Sequence, residues 1–217
     1  MELRRELPLK PDAVILRGNW VELAPLDPLE HTPDLYAVSN GQPARLGERS
    51  IEAYDSDALI WAYMGYGPFA GLDEFRDYLR SLTAPANQFA FCVTDLISGK
   101  PAGVTTLMSN APEHLKIEVG HIWYTPLVQR TAANTEATYL MLRHCFELGY
   151  RRLEWKCNAL NERSRRAALR MGFRFEGIQE AHMILKGRNR DTAWFRILAP
   201  EWPDVKQKLE EMLRPAL

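Results

Sequence analysis

A change of hydrophobic period within residues 88–148 most constrains the fold of this chain. Three segments of strand-like character are separated only by short connections, namely residues 88–95, 101–108 and 116–124. Such short connections favour adjacent antiparallel strands. Apolar residues then recur at helical spacing from Asn134 to Leu148, until Gly149 interrupts the pattern. A helix that follows a strand meander in this way predicts an α/β fold.

Further elements flank this unit on both sides. The hydrophobic pattern predicts strands at residues 19–26, 152–158, 173–185 and 192–198, and helices at residues 73–82, 161–171 and 205–213. This order indicates a mixed sheet in one domain, residues 17–217, preceded by an extended amino-terminal arm, residues 1–16. Ligands of mixed sheets bind where strand order or direction breaks, beside a helix start. We expect that break between the strand that ends at Tyr124 and the strand that begins at Arg152.

Composition argues against several classes of protein. The 217 residues are 46% hydrophobic and 25% charged, as is typical of a globular domain. No apolar stretch is long enough to span a membrane, and the first ten residues lack the apolar region of a secretion signal, so we expect a cytoplasmic protein. The cysteines are widely spaced among apolar neighbours, and the histidines show no metal-ligand spacing. We therefore expect free thiols and no metal.

The charged residues are unevenly distributed, although the net charge is only −1. Acidic side chains predominate in the first half of the chain and basic side chains in the second half. A basic half can attract an anionic ligand. Its arginines are not interleaved with aromatic residues in the manner of a nucleic-acid-binding surface. We therefore expect neither a nucleic acid nor a membrane as partner.

Four segments of the second half carry a resemblance to a known family. They are EVGHIWYTP (118–126), QRTAANTEA (129–137), NERSRRAALRMGFRFEG (161–177) and KGRNRDTAWFRIL (186–198). Together they resemble the GNAT superfamily of N-acetyltransferases, and within it the branch of the ribosomal-protein N-terminal acetyltransferases RimJ and RimL. The resemblance implies the GNAT fold, with a mostly antiparallel sheet of about seven strands between helices. It also implies transfer of an acetyl group from acetyl-CoA to a primary amine.

The resemblance places acetyl-CoA at the turn before the helix of residues 134–148. A helix start offers unpaired backbone N–H groups to a pyrophosphate. The implied contacts are Ile122, Trp123, Tyr124, Gln129, Arg130, Thr131, Ala132, Ala133, Asn134 and Thr135. The family writes this turn Gln/Arg-x-x-Gly-x-Gly/Ala, whereas Ala132 and Asn134 occupy its two small positions here. Alanine keeps the amides accessible only if its φ is negative.

The helix after residue 160 carries the second part of the resemblance. An asparagine at the position of Asn161 lies along the pantetheine arm in the family, and the same residue type caps helices. Arg166 is a further implied cofactor contact. Ala168 occupies the position at which many relatives have a tyrosine that protonates the leaving thiolate. The RimL-like branch has a serine at the position of Ser164, whose hydroxyl can hydrogen-bond the leaving sulfur.

Two residues of the strand before the turn are candidates for the general base, Glu118 and His121. Strand alternation predicts that they lie on opposite faces, so that only one of them points to the cleft. A glutamate that the RimL-like branch uses further along the chain corresponds to Met183. A site without a strong base favours an α-amine, with a pKa of about 7.8, over a lysine amine, with a pKa of about 10.4.

Several alternatives stay open on the sequence alone. The altered turn and the missing tyrosine also fit a catalytically silent CoA-binding or sensing module. The acceptor is either a protein N-terminus or a small-molecule amine. Aromatic residues of the segment 61–69 either line the acceptor pocket or pack in the core. The charged segment 186–191 is either a plain hairpin turn or a contact to the acceptor or to the second subunit of a homodimer.

Overall fold

The computed structural model describes residues 6–214. Its strands are β1 (Leu16–Arg17), β2 (Val21–Pro25), β3 (Ala44–Leu46), β4 (Arg49–Ile51), β5 (Phe89–Asp95), β6 (Lys100–Ala111), β7 (Lys116–Tyr124), β8 (Arg152–Asn158), β9 (Arg174–Leu185) and β10 (Arg188–Leu198). Eight of them form one sheet in the order β1-β2-β5-β6-β7-β8-β10-β9, while β3 and β4 form a separate hairpin. The pairs are antiparallel except for β7 with β8.

Helices cover both faces of this sheet. They are α1 (Thr32–Ala37), α2 (Leu72–Thr83), α3 (Ala133–Leu148), α4 (Glu162–Arg170) and α5 (Trp202–Leu213), with a π-helical turn at Asp57–Trp61. One buried cluster joins α2 to side chains such as Val104 and Trp123, and we call this side the α2 face. The other cluster joins α3 and α5 to side chains such as Ile117 and Val119, and we call that side the α3 face. None of the helices within residues 6–214 has the length and apolar character needed to span a bilayer.

The sequence prediction of an α/β fold with a mixed sheet is confirmed, with eight strands in place of about seven. The predicted meander corresponds to β5, β6 and β7, and the predicted helix of residues 134–148 is α3. Residues 27–61 gave no clear pattern, and there the structure contains α1, the β3–β4 hairpin and the π-helical turn. These elements are short, so each offers too few residues for a period to emerge.

The amino-terminal segment lies against the body of the sheet. Of the predicted arm, residues 1–5 lie outside the described residues, as do residues 215–217 at the other end of the predicted domain. The side-chain amide of Asn110 donates to the carbonyl oxygens of Pro8 and Leu9, at 3.0 and 2.9 Å. Lys10 Nζ donates to Thr83 O at 3.3 Å. These bonds attach residues 8–10 to β6 and to the end of α2.

A break in the sheet lies between β7 and β8, where the sequence predicted it. The two strands pair in parallel at only three positions, the last of which joins Glu118 to Glu154. Beyond Glu118, β7 contains one residue more than β6 between successive pairs, because Thr106 pairs with Gly120 and Val104 with Trp123. This β-bulge bends β7 away from β8, whereas β8 stays paired with β10 along its whole length. The carboxyl halves of β7 and β8 therefore leave a gap, which we call the β7–β8 gap.

Candidate active site

The β7–β8 gap opens towards the amino end of α3. A 3₁₀ turn follows β7, and α3 begins at Ala133. Arg130 has a φ of 63°, a left-handed conformation that redirects the chain just before the helix. Ala132 has a φ of −66°, which an L-residue adopts without strain. The alanine that stands in place of the family's glycine is therefore compatible with this turn.

Several backbone N–H groups of this turn have no acceptor within residues 6–214. They belong to Arg130, Ala132, Asn134 and Thr135. The N–H groups between them are engaged, since Thr131 N donates to Val128 O at 3.4 Å and Ala133 N to Thr131 Oγ1 at 3.2 Å. Unpaired amides at the positive end of a helix dipole favour an anion with several oxygens. A pyrophosphate meets that requirement.

Buried side-chain atoms without a partner concentrate in the same segment. Among residues 6–214 they are Tyr124 Oη, Thr125 Oγ1, Asn134 Oδ1, Thr138 Oγ1 and, elsewhere in the chain, Arg190 Nε. Buried polar atoms nearly always have a hydrogen-bond partner. Four such atoms between the end of β7 and the second turn of α3 indicate a partner that is not part of the chain. The residues of this segment therefore fit a long polar ligand such as CoA.

The other predicted cofactor contacts differ in their exposure and in the face of the sheet on which their side chains lie. Arg130 and Thr131 are exposed, and Ile122 is partly buried on the α3 face. The Trp123 side chain is buried on the α2 face, where its indole N–H donates to Tyr78 Oη at 3.1 Å. Gln129 Nε2 donates to the carbonyl oxygens of Leu59 and Tyr124, at 3.1 and 3.0 Å. The Gln129 side chain therefore uses its Nε2 atom to hold Leu59 and Tyr124 together.

The π-helical turn lies across the gap from α4 and is held there by three side chains. Gln129 binds the carbonyl oxygen of Leu59, as described above. Arg163 Nη2 donates to Ala58 O at 2.6 Å, and Lys186 Nζ donates to Trp61 O at 2.9 Å. These donors come from the turn before α3, from α4 and from the β9–β10 hairpin. The charged segment 186–191 therefore does more than connect β9 to β10, because its first residue, Lys186, binds the start of the aromatic segment.

Ser164 lies on the first turn of α4, beside β8. Asn161 caps this helix, since its Oδ1 accepts the Ser164 N–H at 3.1 Å. The indole N–H of Trp155 donates to Ser164 Oγ at 3.0 Å, so the hydroxyl hydrogen is directed to another acceptor, and the Cys157 sulfur is one such acceptor. Burial raises the pKa of the Cys157 thiol, and the adjacent Ser164 hydroxyl opposes that rise. Ala168, at the position of the family's tyrosine, is fully buried.

Glu118 and His121 lie on the same face of β7, so the prediction that they face opposite ways is wrong. The β-bulge is the cause, because His121 is the inserted residue and takes a φ of 47°. Its ring lies 6.5 Å from the ring of Tyr66, on the α2 face. The charge of Arg190 acts on both side chains. Both candidate bases therefore face the same side of the gap.

The surroundings of these two side chains differ. Glu118 is buried and accepts Lys156 Nζ at 2.6 Å and Ser109 Oγ at 3.1 Å. Burial raises the pKa of Glu118, and the Lys156 ammonium opposes that rise. Burial, with a smaller contribution from Arg190, lowers the pKa of His121 to about 4. At neutral pH the imidazole is therefore uncharged.

Two basic residues at this site, Lys156 and Arg170, were not among the predicted site residues, whereas Arg190 lies in the segment 186–191, for which a contact to the acceptor was one of the alternatives. Lys156 neutralises Glu118 and lies over the ring of Trp194 at 4.3 Å. Arg190 lies close to both candidate bases. Arg170 Nη1 donates to Thr135 Oγ1 in the first turn of α3 at 2.9 Å. Arg170 could have been found from the sequence, because it follows the predicted contact Arg166 by one helical turn and shares its face of α4.

The aromatic segment 61–69 divides between core and cleft. Trp61 is 1% exposed, and its indole N–H donates to Ser39 O at 3.1 Å, so Trp61 belongs to the core. Tyr66 is 44% exposed and lies between the rings of Tyr78 and His121. Tyr66 also lines an open cavity of about 440 Å³ that extends to Lys186. Tyr66 is therefore the member of this segment that is placed to meet an acceptor.

Residues 6–214 contain no group of three or more His, Cys, Asp and Glu side chains placed to hold a metal ion.

Comparison with known proteins decides the family. Residues 45–174 match the model of the acetyltransferase (GNAT) domain. The chain belongs to the GNAT acetyltransferase family. This acetyltransferase is 42% identical to a GCN5-related N-acetyltransferase from Brucella melitensis, with a TM-score of 0.85 and coverage of 95% of this chain and 88% of the other. It is 34% identical to a probable GNAT-family acetyltransferase from Chromobacterium violaceum, with a TM-score of 0.79 and coverage of 89% and 90%.

More distant GNAT structures share only the fold with this acetyltransferase. The ribosomal L7/L12 α-N-protein acetyltransferase RimL is 17% identical, with a TM-score of 0.70 and coverage of 86% of this chain and 94% of the other. The microcin C7 self-immunity acetyltransferase MccE, in complex with acetyl-CoA and AMP, is 18% identical, with a TM-score of 0.66 and coverage of 83% and 93%. No curated protein matches the sequence.

Proposed function

We propose that this GNAT acetyltransferase moves an acetyl group from acetyl-CoA to a primary amine by direct transfer in a ternary complex. One observation carries the proposal. The β7–β8 gap has unpaired amides at one end, a serine hydroxyl on one side, and Glu118 with His121 on the other side. A donor and an acceptor can therefore meet in the gap from opposite faces of the sheet.

The donor side of the gap is formed by the start of α3 and by α4. The free N–H groups of Arg130, Ala132, Asn134 and Thr135 would bind the pyrophosphate, and Arg170 and Arg166 would add positive charge near it. Acetyl-CoA supplies a thioester whose carbonyl carbon is open to attack. MccE, which shares the fold, binds acetyl-CoA. Asn161 and Ser164 would lie along the pantetheine arm at the start of α4.

The acceptor side supplies the base. The amine nitrogen forms a bond to the carbonyl carbon, the carbon–sulfur bond breaks, and the amine must lose a proton to reach the neutral amide. Glu118 takes this proton directly or through a water molecule, because Lys156 and Ser109 fix its carboxylate and burial raises its pKa. Neutral His121 orients the amine as a hydrogen-bond acceptor.

The leaving sulfur is met by Ser164. The hydroxyl group is oriented by the indole N–H of Trp155, and its own hydrogen would turn from the Cys157 sulfur to the thiolate. A hydrogen bond of this kind stabilises negative charge without full proton transfer, which suits a hydroxyl of high pKa. Ala168, which is fully buried, has no group that could donate a hydrogen bond, so Ser164 would take this role.

The acceptor belongs to the α-amines, of a protein N-terminus or of a small molecule, as in the RimJ/RimL branch. A single carboxylate base suits an amine that is partly unprotonated at neutral pH. A catalytically silent CoA-binding module is the second candidate, which the missing tyrosine at Ala168 favours.

The test compares wild-type protein with Glu118→Gln in an assay of thiol release from acetyl-CoA with a panel of α-amines and peptides. Loss of the base should lower kcat by about 10²- to 10⁴-fold. The control is Glu113→Gln, an exposed glutamate on the turn before β7, which should keep wild-type kcat. CoA binding without thiol release on any amine would favour the silent module and contradict the proposed transfer.

A further inference from the structure

Arg190, on β10, is a partly buried guanidinium group without a counter-ion. Its Nε atom is inaccessible and has no hydrogen-bond partner. Among the residues that the structure describes, no carboxylate forms an ion pair with it, and its only polar contact is a long one of 3.9 Å from Nη1 to Met183 Sδ. Burial accordingly lowers the pKa of Arg190. A guanidinium group held in this way favours the binding of an anion.

The two carboxylates near Arg190, those of Asp191 and Glu118, bind other groups. The carboxylate of the neighbouring Asp191 accepts the N–H of Ala181 at 2.8 Å and the side-chain amide of Asn189 at 2.9 Å. It is therefore turned towards the bulge of β9 at Ala181. Glu118 is bound by Lys156 at 2.6 Å. Neither carboxylate is free to pair with the guanidinium group.

The position of Arg190 is fixed at the mouth of the β7–β8 gap. The carbonyl oxygen of Asp191 accepts the N–H of Ala159 at 2.8 Å, which anchors this part of β10 just beyond the end of β8. The charge of Arg190 acts on His121 and Glu118 of β7 and on Cys157 of β8. The guanidinium group therefore lies near both of the strands that border the gap.

We infer that Arg190 binds a carboxylate of the acceptor, so that the substrate of this enzyme is an amine with a carboxylate close to it. This inference rests on the proposed amine transfer and names its substrate class. The amine would lie at Glu118 and His121 while its carboxylate forms the two parallel hydrogen bonds that a guanidinium group favours. The acceptor is then either a free amino acid or a peptide whose first residue is acidic.

A carboxylate fits this site better than a doubly charged phosphate. The other basic side chains of the acceptor side are neutralised, since Lys156 pairs with Glu118, and Lys186 lies 3.6 Å from Asp57 and donates to Trp61 O. Arg190, whose Nε atom is buried and unbonded, has no carboxylate partner among the described residues. A single negative charge balances it, whereas a dianion would leave a buried excess.

Binding of acetylated products tests the inference without any need for turnover. Two matched pairs of probes are titrated by calorimetry, with and without CoA. The first pair is N-acetylalanine and N-acetylalaninamide, and the second is an acetylated, amidated tripeptide that begins with Asp or with Asn. In at least one pair the carboxylate should bind about 10- to 100-fold more tightly. The pair that shows the preference identifies the source of the carboxylate.

Arg190→Gln should remove this preference, leaving the two members of the pair within about threefold. Arg190→Lys should keep part of it, because it retains the charge but loses the planar fork. The matched control is Arg188→Gln, an exposed arginine of the same hairpin, which should keep the full preference. Circular dichroism checks folding, and if Arg190→Gln fails to fold, Arg190→Lys decides.

The inference is overturned if wild-type protein shows no carboxylate preference in either pair, and absence of binding at millimolar concentrations counts as no preference. It is also overturned if the preference survives in Arg190→Gln. Failure of the proposed function has a different signature, since thiol release would then be absent with every amine while the carboxylate preference persists.

Discussion

Ser164 is the residue whose proposed role depends most on its neighbours. Trp155 fixes its oxygen from one side, and Asn161 fixes its backbone N–H from the other. A hydroxyl held in this way keeps one hydrogen to donate and little freedom to rotate. It can therefore stabilise a leaving sulfur at a small entropic cost.

Ser164→Ala should lower kcat by about 10- to 100-fold, which corresponds to the loss of one hydrogen bond to a charged group. The KM for acetyl-CoA should change far less, because the bond forms mainly as the sulfur becomes negative. Steady-state kinetics of thiol release measure both constants. Ser50→Ala, at an exposed position of β4, is the control. An unchanged kcat in Ser164→Ala would remove the serine from the mechanism.

Single residues were predictable from sequence where their role is local. Asn161 and Ser164 share one helix start, so a short motif indicated both. The side of the sheet on which His121 lies could not be predicted, because the extra residue in β7 is defined only by the pairing of β7 with β6. The segment that contains Arg190 was recognised by its charge, but the position of Arg190 depends on how β10 lies beside the end of β8, which the sequence does not show.

Among the elements, α3 is joined to the β1–β2 hairpin through Glu136. This carboxylate in the first turn of α3 is buried and accepts three backbone N–H groups of the β1–β2 turn, from Asn19, Trp20 and Val21, at 2.8, 2.6 and 2.9 Å. Gly18 makes the approach feasible, since a Cβ atom there would lie 2.3 Å from the Glu136 carboxyl carbon. The start of α3 is thereby held in place next to the unpaired amides.

Glu136→Gln should destabilise the protein by about 2–3 kcal/mol, because one of the carboxylate oxygens becomes a donor and leaves buried N–H groups unpaired. Urea unfolding followed by circular dichroism measures this free energy. Glu22→Gln is the matched control, since Glu22 lies on the same hairpin but only pairs with Arg17 at the surface. It should cost less than about 1 kcal/mol. Equal losses in the two variants would show that Glu136 is not an anchor.

The sequence predicted the elements around the gap but not what holds them. Strand and helix periods are local, so β5 to β8 and α3 were recognisable with their approximate bounds. In the sequence, Glu136 is an acidic residue in the first turn of a helix. The helix dipole alone explains why an acidic residue occurs there. Its acceptor role requires the β1–β2 turn, more than a hundred residues away in the sequence. The π-helical turn, with donors from three other elements, was hidden for the same reason.

At the scale of the whole molecule, one break in the sheet organises the site. The bulge in β7 opens the gap towards the amino end of α3 and turns His121 to the same face as Glu118. The position of the break followed from the order of strands and helices in the sequence. The sequence did not show which groups lie on which side of the break. Only the structure shows the free amides on the α3 side and the candidate bases on the α2 side.

The central claim is that unpaired amides at the start of α3 hold the pyrophosphate of CoA in the β7–β8 gap. Calorimetric titration of the protein with CoA and with pantetheine, which lacks the pyrophosphate and the nucleotide, tests it most directly. The account predicts that CoA binds at least about 100-fold more tightly than pantetheine, because only CoA offers an anion to several N–H donors. Equal binding of the two, or no binding of CoA, would contradict it.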